Sequence, residues 1–101
     1  RIINIHPSLL PKYGGKGMYG LNVHRAVFEH KEKESGATVH FVNETVDGGK
    51  ILIQESISIE GAMSPEEIQK IVLDVEHRIL KEAILKLEEE NLEESIIKCY
   101  R

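Results

Sequence analysis

Apolar and polar residues recur along this chain with changing period, and the period assigns the elements. Residues 1–6 carry Ile2, Ile3 and Ile5, a β-branched run that stops where Pro7 removes a backbone donor. Its apolar positions do not alternate cleanly, which suits a strand buried on both faces in a parallel sheet. Residues 7–20 hold two prolines and four glycines (Gly14, Gly15, Gly17, Gly20) without periodicity, so they read as a long loop of the kind that often carries function. Asn22 is a candidate N-cap for a helix reaching about Lys33, with Val23, Ala26 and Val27 on one face. Ser35-Gly36 then reads as punctuation. Over Ala37 to Val42, Val39 and Phe41 fall on one side and Thr38 and His40 on the other, the period of a strand. Asn43 to Gly49 is a polar turn whose Asp47-Gly48-Gly49 tolerates positive φ. Lys50 to Ile59, with Ile51, Ile53, Ile57 and Ile59, reads as a second strand pairing back across that turn.

Ser64-Pro65-Glu66-Glu67 is a helix start: Ser64 caps, Pro65 fits the first turn and Glu67 completes a capping box. Ile68, Ile71, Val72, Val75, Ile79, Ala83 and Ile84 follow at three- and four-residue spacing, so the helix runs to about Glu88. Leu92 to Tyr100 is read as a final edge strand on the strength of Ile96-Ile97. Strand, loop, helix, strand, turn, strand, helix is the order of an α/β protein. Its first strand–helix–strand reads as a crossover unit, so a mixed sheet with flanking helices is expected. No repeat or linker divides residues 1–101, which are expected to be one domain. A strand starting at Arg1 without an initiator Met suggests a fragment of a longer protein.

Composition narrows the class. A chain of 101 residues suffices for one small core, and 41% apolar with 30% charged residues is a globular balance, not a disordered one. The formal charge is −4, with acids gathered at Glu88 to Glu90, Glu93 and Glu94, so no basic footprint for nucleic acid or an anionic membrane surface is present. No apolar run approaches the roughly 18 residues of a membrane span. Cys99 is the only cysteine, which excludes an intrachain disulfide and fits a reducing compartment, the cytoplasm.

Chemistry gathers at two places. Asn4 and His6 lie two apart on a strand and therefore share a face, at a strand end, where open α/β sheets place ligands. A neutral amide and an imidazole side by side could hold the oxyanion of a tetrahedral intermediate; equally, Asn4 could cap the loop and His6 be a partly buried ring. Asp47 by itself is a turn carboxylate. Beside His6 it would favour the charged ring and could position a water for proton transfer. His40 is either a support for that group or a satisfied core histidine. His24 and His30, six apart on one helix, do not share a face. No spacing among the five histidines and Cys99 suits a metal, so no metal is expected. Gly14 to Gly20 lacks a phosphate-loop pattern and reads as a surface loop or lid.

Three separated stretches then coincide with one family. Asn4-Ile5-His6-Pro7-Ser8-Leu9-Leu10-Pro11, Gly36-Ala37-Thr38-Val39-His40-Phe41-Val42 and Asp47-Gly48-Gly49-x-Ile51-Leu52, in this order, strongly resemble the phosphoribosylglycinamide formyltransferases. The likeness spans nearly the whole chain but only the C-terminal half of the usual formyltransferase fold, a Rossmann-like mixed sheet. The Tyr13-Gly14-Gly15-Lys16-Gly17 segment differs from the Arg-Gly-Ala-Ala-Pro that follows Leu-Leu-Pro in the related methionyl-tRNA enzymes.

The resemblance implies roles. Asn4 and His6 match the polar pair on the oxyanion, with His6 the proton donor. Asp47 matches the carboxylate that raises the histidine's pKa. Asn4 and the turn Asn43, Glu44, Thr45, Val46 and Asp47 match the folate contacts, those of the turn being through its backbone. Pro7 matches a position along which the substrate passes, and Glu76 a helical carboxylate on the ribose hydroxyls. The implied reaction moves a formyl group from 10-formyltetrahydrofolate to the amine of glycinamide ribonucleotide in purine biosynthesis. The implied partners are that small molecule, the missing N-terminal nucleotide-binding half and a candidate second copy in a homodimer. Without that half, the chain is expected to be inactive. Two other readings remain at this point: a formyltetrahydrofolate hydrolase, in which water replaces the amine, and a non-catalytic folate-binding module.

Overall fold

The computed structural model describes residues 2–42, 50–89 and 96–97. Their elements are β1 (Ile2–His6), α1 (Leu21–Glu29), β2 (Glu34–Phe41), β3 (Ile51–Ser58), α2 (Pro65–Glu89) and β4 (Ile96–Ile97). The four strands form one sheet in the order β3-β2-β1-β4. β2 pairs antiparallel with both β1 and β3, whereas β4 lies parallel to β1 through Ile2↔Ile96 and Ile3↔Ile97. The sheet is therefore mixed, as expected, but its parallel pair is β1 with the edge strand β4 and not β1 with β2.

The core is built from the periodic positions. Ile3 and Ile5 of β1 stand with Ala37 and Val39 of β2 in one buried cluster. Val23 and Val27 of α1 join it, as do Ile68, Val72, Val75, Ile79, Ala83 and Leu87 along α2. Those α2 positions repeat at three and four residues, the stripe an amphipathic helix turns inward. Burying each Ile or Val contributes roughly 1.5–3 kcal/mol. α2 begins as its sequence predicts: the Glu67 amide donates to Ser64 Oγ at 3.2 Å, and the Glu67 carboxylate accepts from the Met63 amide.

Four local expectations are corrected. β1 and β2 are antiparallel, with His6 opposite Thr38, so β1–α1–β2 is no crossover; the loop and α1 return the chain to the sheet end where β1 stopped. Periodicity reports which face a residue takes but is blind to strand direction. α1 starts at Leu21 after Gly20, and no side chain caps it. Asn22 instead donates its amide to the Gly17 carbonyl at 3.1 Å, tying the loop to the helix. α1 also ends at Glu29 and not near Lys33. Lys31 takes a left-handed φ of 54°, and the Lys31 and Glu32 amides donate back to Phe28 and Val27 carbonyls, closing a Schellman motif with no glycine in it.

Finally, Ser35-Gly36 lies inside β2, not before it. A Cβ at Gly36 would stand 2.1 Å from the Glu55 carbonyl oxygen and 2.7 Å from Leu9 Cδ2. This glycine marks a close approach of β3 and the Leu9 loop rather than a break. The acidic tail Glu90 to Arg101 lies outside the described residues except for Ile96 and Ile97.

Candidate functional site

The alternation of β1 that buries Ile3 and Ile5 sends Asn4 and His6 to the other face. The antiparallel register sets Asn4 opposite His40 and His6 opposite Thr38, so four polar side chains share that face. His6 is buried, and its Nε2 lies 2.7 Å from the Tyr13 carbonyl oxygen. A carbonyl only accepts, so Nε2 carries a proton. By the same reasoning His40 Nδ1 is protonated, donating to the Phe41 carbonyl at 3.2 Å. His40 is buried opposite Asn4.

Thr38 fastens the loop that follows β1. Its hydroxyl donates to the Ser8 carbonyl at 2.7 Å and accepts from the Leu10 amide at 3.2 Å and Gln54 Nε2 at 3.0 Å. One donor and two acceptors exhaust a hydroxyl. Gln54 adds a bond to the Leu10 carbonyl at 2.9 Å, and Ser8 Oγ donates to the Lys12 carbonyl at 2.7 Å. The run from Pro7 to Pro11 is thereby held on β2 and β3, and with it the exit direction of His6. Further along, the loop proceeds by short turns, Gly14 onto the Pro11 carbonyl and Met18 onto that of Gly15. Tyr13 is clamped: its hydroxyl donates to the Glu32 carboxylate at 2.9 Å and stands 3.2 Å from His30 Nδ1. Burial, and then the Glu32 carboxylate that the hydroxyl binds, push Tyr13 up to about 12.

Pro7 and Glu76, far apart in sequence, line one cavity of about 140 Å³. Gly20 and His24 of the α1 entry and Gln69, Lys70 and Leu73 of α2 complete it. Glu76 is a carboxylate only 3% exposed on the otherwise apolar side of α2. His24 is 1% exposed, and its Nδ1 has no hydrogen-bond partner among the described residues. Burial, helped by repulsion from His6, lowers the His24 pKa to about 4, so the ring is neutral near pH 7.

The structure therefore brings Asn4 and His6 to one face and Pro7 and Glu76 to an adjacent cavity. Asn43, Glu44, Thr45, Val46 and Asp47 lie outside the described residues. Sequence reasoning missed four participants. Thr38 and Gln54 read in the sequence only as strand positions, although a threonine in step with His40 is a signal for a polar face. Neither His24 nor Tyr13 carries a local pattern, since the cavity that His24 lines and the Glu32 carboxylate that Tyr13 binds come from other parts of the chain. Among the described residues no group of three or more His, Cys, Asp or Glu is arranged to hold a metal, and no helix is long and apolar enough to cross a membrane.

Comparison with known proteins fits this arrangement. Residues 1–84 match the family described as "Formyl transferase". A chloroplastic phosphoribosylglycinamide formyltransferase of Arabidopsis thaliana is 48% identical over 92 residues, which are 91% of this chain and 32% of that protein. The crystal structure of glycinamide ribonucleotide transformylase 1 from Symbiobacterium toebii superposes with a TM-score of 0.73 at 42% identity, over 83% of this chain and 37% of that one. A formyltetrahydrofolate deformylase from Pseudomonas syringae pv. tomato superposes at 0.71 with 30% identity, over 81% of this chain and 26% of that one. The chain spans about a third of the length of the phosphoribosylglycinamide formyltransferases it matches, and 6–8% of the trifunctional purine biosynthetic proteins.

Proposed function

The chain belongs to the formyl transferase family, and on that premise we propose that it forms the chemical end of a phosphoribosylglycinamide formyltransferase. The reaction moves the formyl group of 10-formyltetrahydrofolate to the amino group of glycinamide ribonucleotide. The observation that carries this reading is the common face of Asn4 and His6 at the end of β1, next to the cavity that Pro7 shares with Glu76.

The amine nitrogen attacks the formyl carbon, and the carbonyl oxygen becomes an oxyanion. The Asn4 amide and the His6 ring supply donors to that oxygen, held in place before the charge develops. With Nε2 engaged by the Tyr13 carbonyl, His6 would present Nδ1 to the reacting centre, as a donor when the ring is charged. As the tetrahedral intermediate collapses, the carbon–N10 bond breaks, N10 gains a proton and the former amine loses one. Asp47 is assigned the water-mediated part of that transfer. The backbone of Asn43 to Asp47 is assigned to the pterin. Glu76 is assigned to the ribose hydroxyls, which a carboxylate accepts from in pairs.

The nucleotide's phosphate contacts are assigned to a preceding segment of the same enzyme, in line with the share of its relatives that this chain covers. The lone Cys99 favours a reducing compartment such as the cytoplasm. The test is formyl transfer by the full-length protein, with and without His6→Ala. Loss of one oxyanion donor is expected to lower kcat by about 10²–10³-fold, and the 101 residues alone are expected to show negligible activity. Undiminished transfer by His6→Ala would refute the assignment. The likeness to the Pseudomonas deformylase supports a second reading, hydrolysis of the same folate. Formate release that ignores added glycinamide ribonucleotide would favour it.

A further inference from the structure

Tyr13 combines three features, of which the reaction above uses only the carbonyl. It is a bulky residue in the left-handed backbone region, with φ of 56°, an unfavourable conformation that persists only where surroundings enforce it. Its carbonyl oxygen accepts from His6 Nε2 at 2.7 Å. Its hydroxyl is held on the far side of the loop by Glu32 at 2.9 Å and lies 3.2 Å from His30 Nδ1, with the two rings 5.7 Å apart. Glu32 and His30 belong to the turn that ends α1, and Glu32 is braced in turn by Lys12 at 3.4 Å.

We propose that Tyr13 is a positioning residue for His6: its hydroxyl latches the loop to the α1 terminus and thereby fixes the strained carbonyl that sets the tautomer and orientation of the imidazole. The proposal rests on His6 being the catalytic histidine. The imidazole could otherwise rotate about its side-chain bonds or place its single neutral-state proton on Nδ1. A carbonyl locked at Nε2 forbids both, because it accepts only from a protonated nitrogen. The left-handed backbone turns that carbonyl toward β1, and the hydroxyl latch is what keeps so unfavourable a conformation occupied. Thr38 fastens the first part of the loop and Tyr13 the second, so His6 is gripped from both sides of Pro7 to Lys12.

The test uses the full-length enzyme with Tyr13→Phe, which keeps the ring and removes the latch, and Glu32→Gln, which keeps a neutral acceptor. Two quantities are read: kcat and KM for both substrates, and the ¹⁵N chemical shifts of the His6 ring. The Phe variant is expected to lower kcat about tenfold with KM within about twofold, the loss of one charge-assisted hydrogen bond. The His6 shifts are expected to move from the Nε2-protonated pattern towards a tautomer mixture. Glu32→Gln is expected to fall between wild type and the Phe variant in both readouts, and it carries the test if Tyr13→Phe does not fold. A wild-type His6 spectrum in both variants, or a change in KM alone, would overturn the proposal. Because the ¹⁵N readout needs no turnover, an enzyme that folds but transfers no formyl group would refute the proposed function while still reporting on Tyr13.

Discussion

The two faces of β1 divide apolar packing from directed polar contacts within five residues. Ile3 and Ile5 are fully buried in the helix-covered cluster, where each contact is apolar and interchangeable with others of similar volume. Asn4 and His6, the alternating pair, stand opposite His40 and Thr38 across the strand, and His6 is bound to the Tyr13 carbonyl, a partner of fixed direction on the loop. The apolar face tolerates small displacements at modest cost. The polar face does not, because a hydrogen bond weakens steeply as its geometry is lost. A strand that belongs to both is a rigid mount: hydrophobic burial holds the backbone while the other side aims donors.

The comparison can be broken first from the apolar side. Ile5→Ala leaves a cavity behind β1 and is expected to destabilise by about 2–5 kcal/mol, read as a lower urea midpoint of the full-length protein with unchanged m-value. A loss below about 1 kcal/mol would mean that the mount relaxes around the gap. The buried His24, next to the polar face, is expected to make stability depend on pH. Its folded pKa of about 4 lies below the ordinary 6.5, so the unfolded chain takes up the proton first. Stability that is complete above pH 6.5 is lost as pH falls towards 4, by on the order of 3 kcal/mol. His24→Gln should flatten this part of the curve in denaturation from pH 7 to pH 4, and an unchanged slope would show that other groups cause it.

The polar side is tested by Thr38→Val, which keeps the shape of the side chain but strands the Leu10 amide, the Ser8 carbonyl and one Gln54 bond. A cost of roughly 1–3 kcal/mol is expected, together with a fall in kcat as the loop that follows His6 loosens. Full activity in this variant would mean that burial alone aims His6. The smallest effect is expected at Arg78→Ala. Its ion pair with Glu55, 2.6 Å at the closest, joins α2 to β3 with the Arg78 side chain about half exposed, and such pairs contribute little. The thermal midpoint should not move measurably.

Much of this was legible in the chain. The capping box at Ser64, the stripe from Ile68 to Ala83 and the alternation of Val39 and Phe41 each carry their information within a few residues, so their elements follow from local chemistry. Gly36 shows where that stops. A Ser-Gly pair reads as a break, and only the approach of Glu55 and Leu9 reveals an interior strand position. Asn22 is similar: its side chain suits a cap, but α1 begins one residue earlier, and from inside the first turn Asn22 donates to the Gly17 carbonyl. The site divides in the same way. Asn4 with His6 was visible because a period of two puts them on one face, whereas the grip of Thr38, Gln54 and Tyr13 on their loop spans separations that no pattern links.

What the sequence determined by itself is the list of elements, the apolar faces and the pairing of Asn4 with His6, since all follow from backbone period and side-chain type. Tertiary structure alone decided that β2 runs antiparallel to β1, that Pro7 and Glu76 meet at one cavity, and that the Tyr13 carbonyl selects the protonated nitrogen of His6. These are matters of direction and distance between segments, set by how buried surfaces and hydrogen bonds are satisfied together, and no local stretch of chain encodes them.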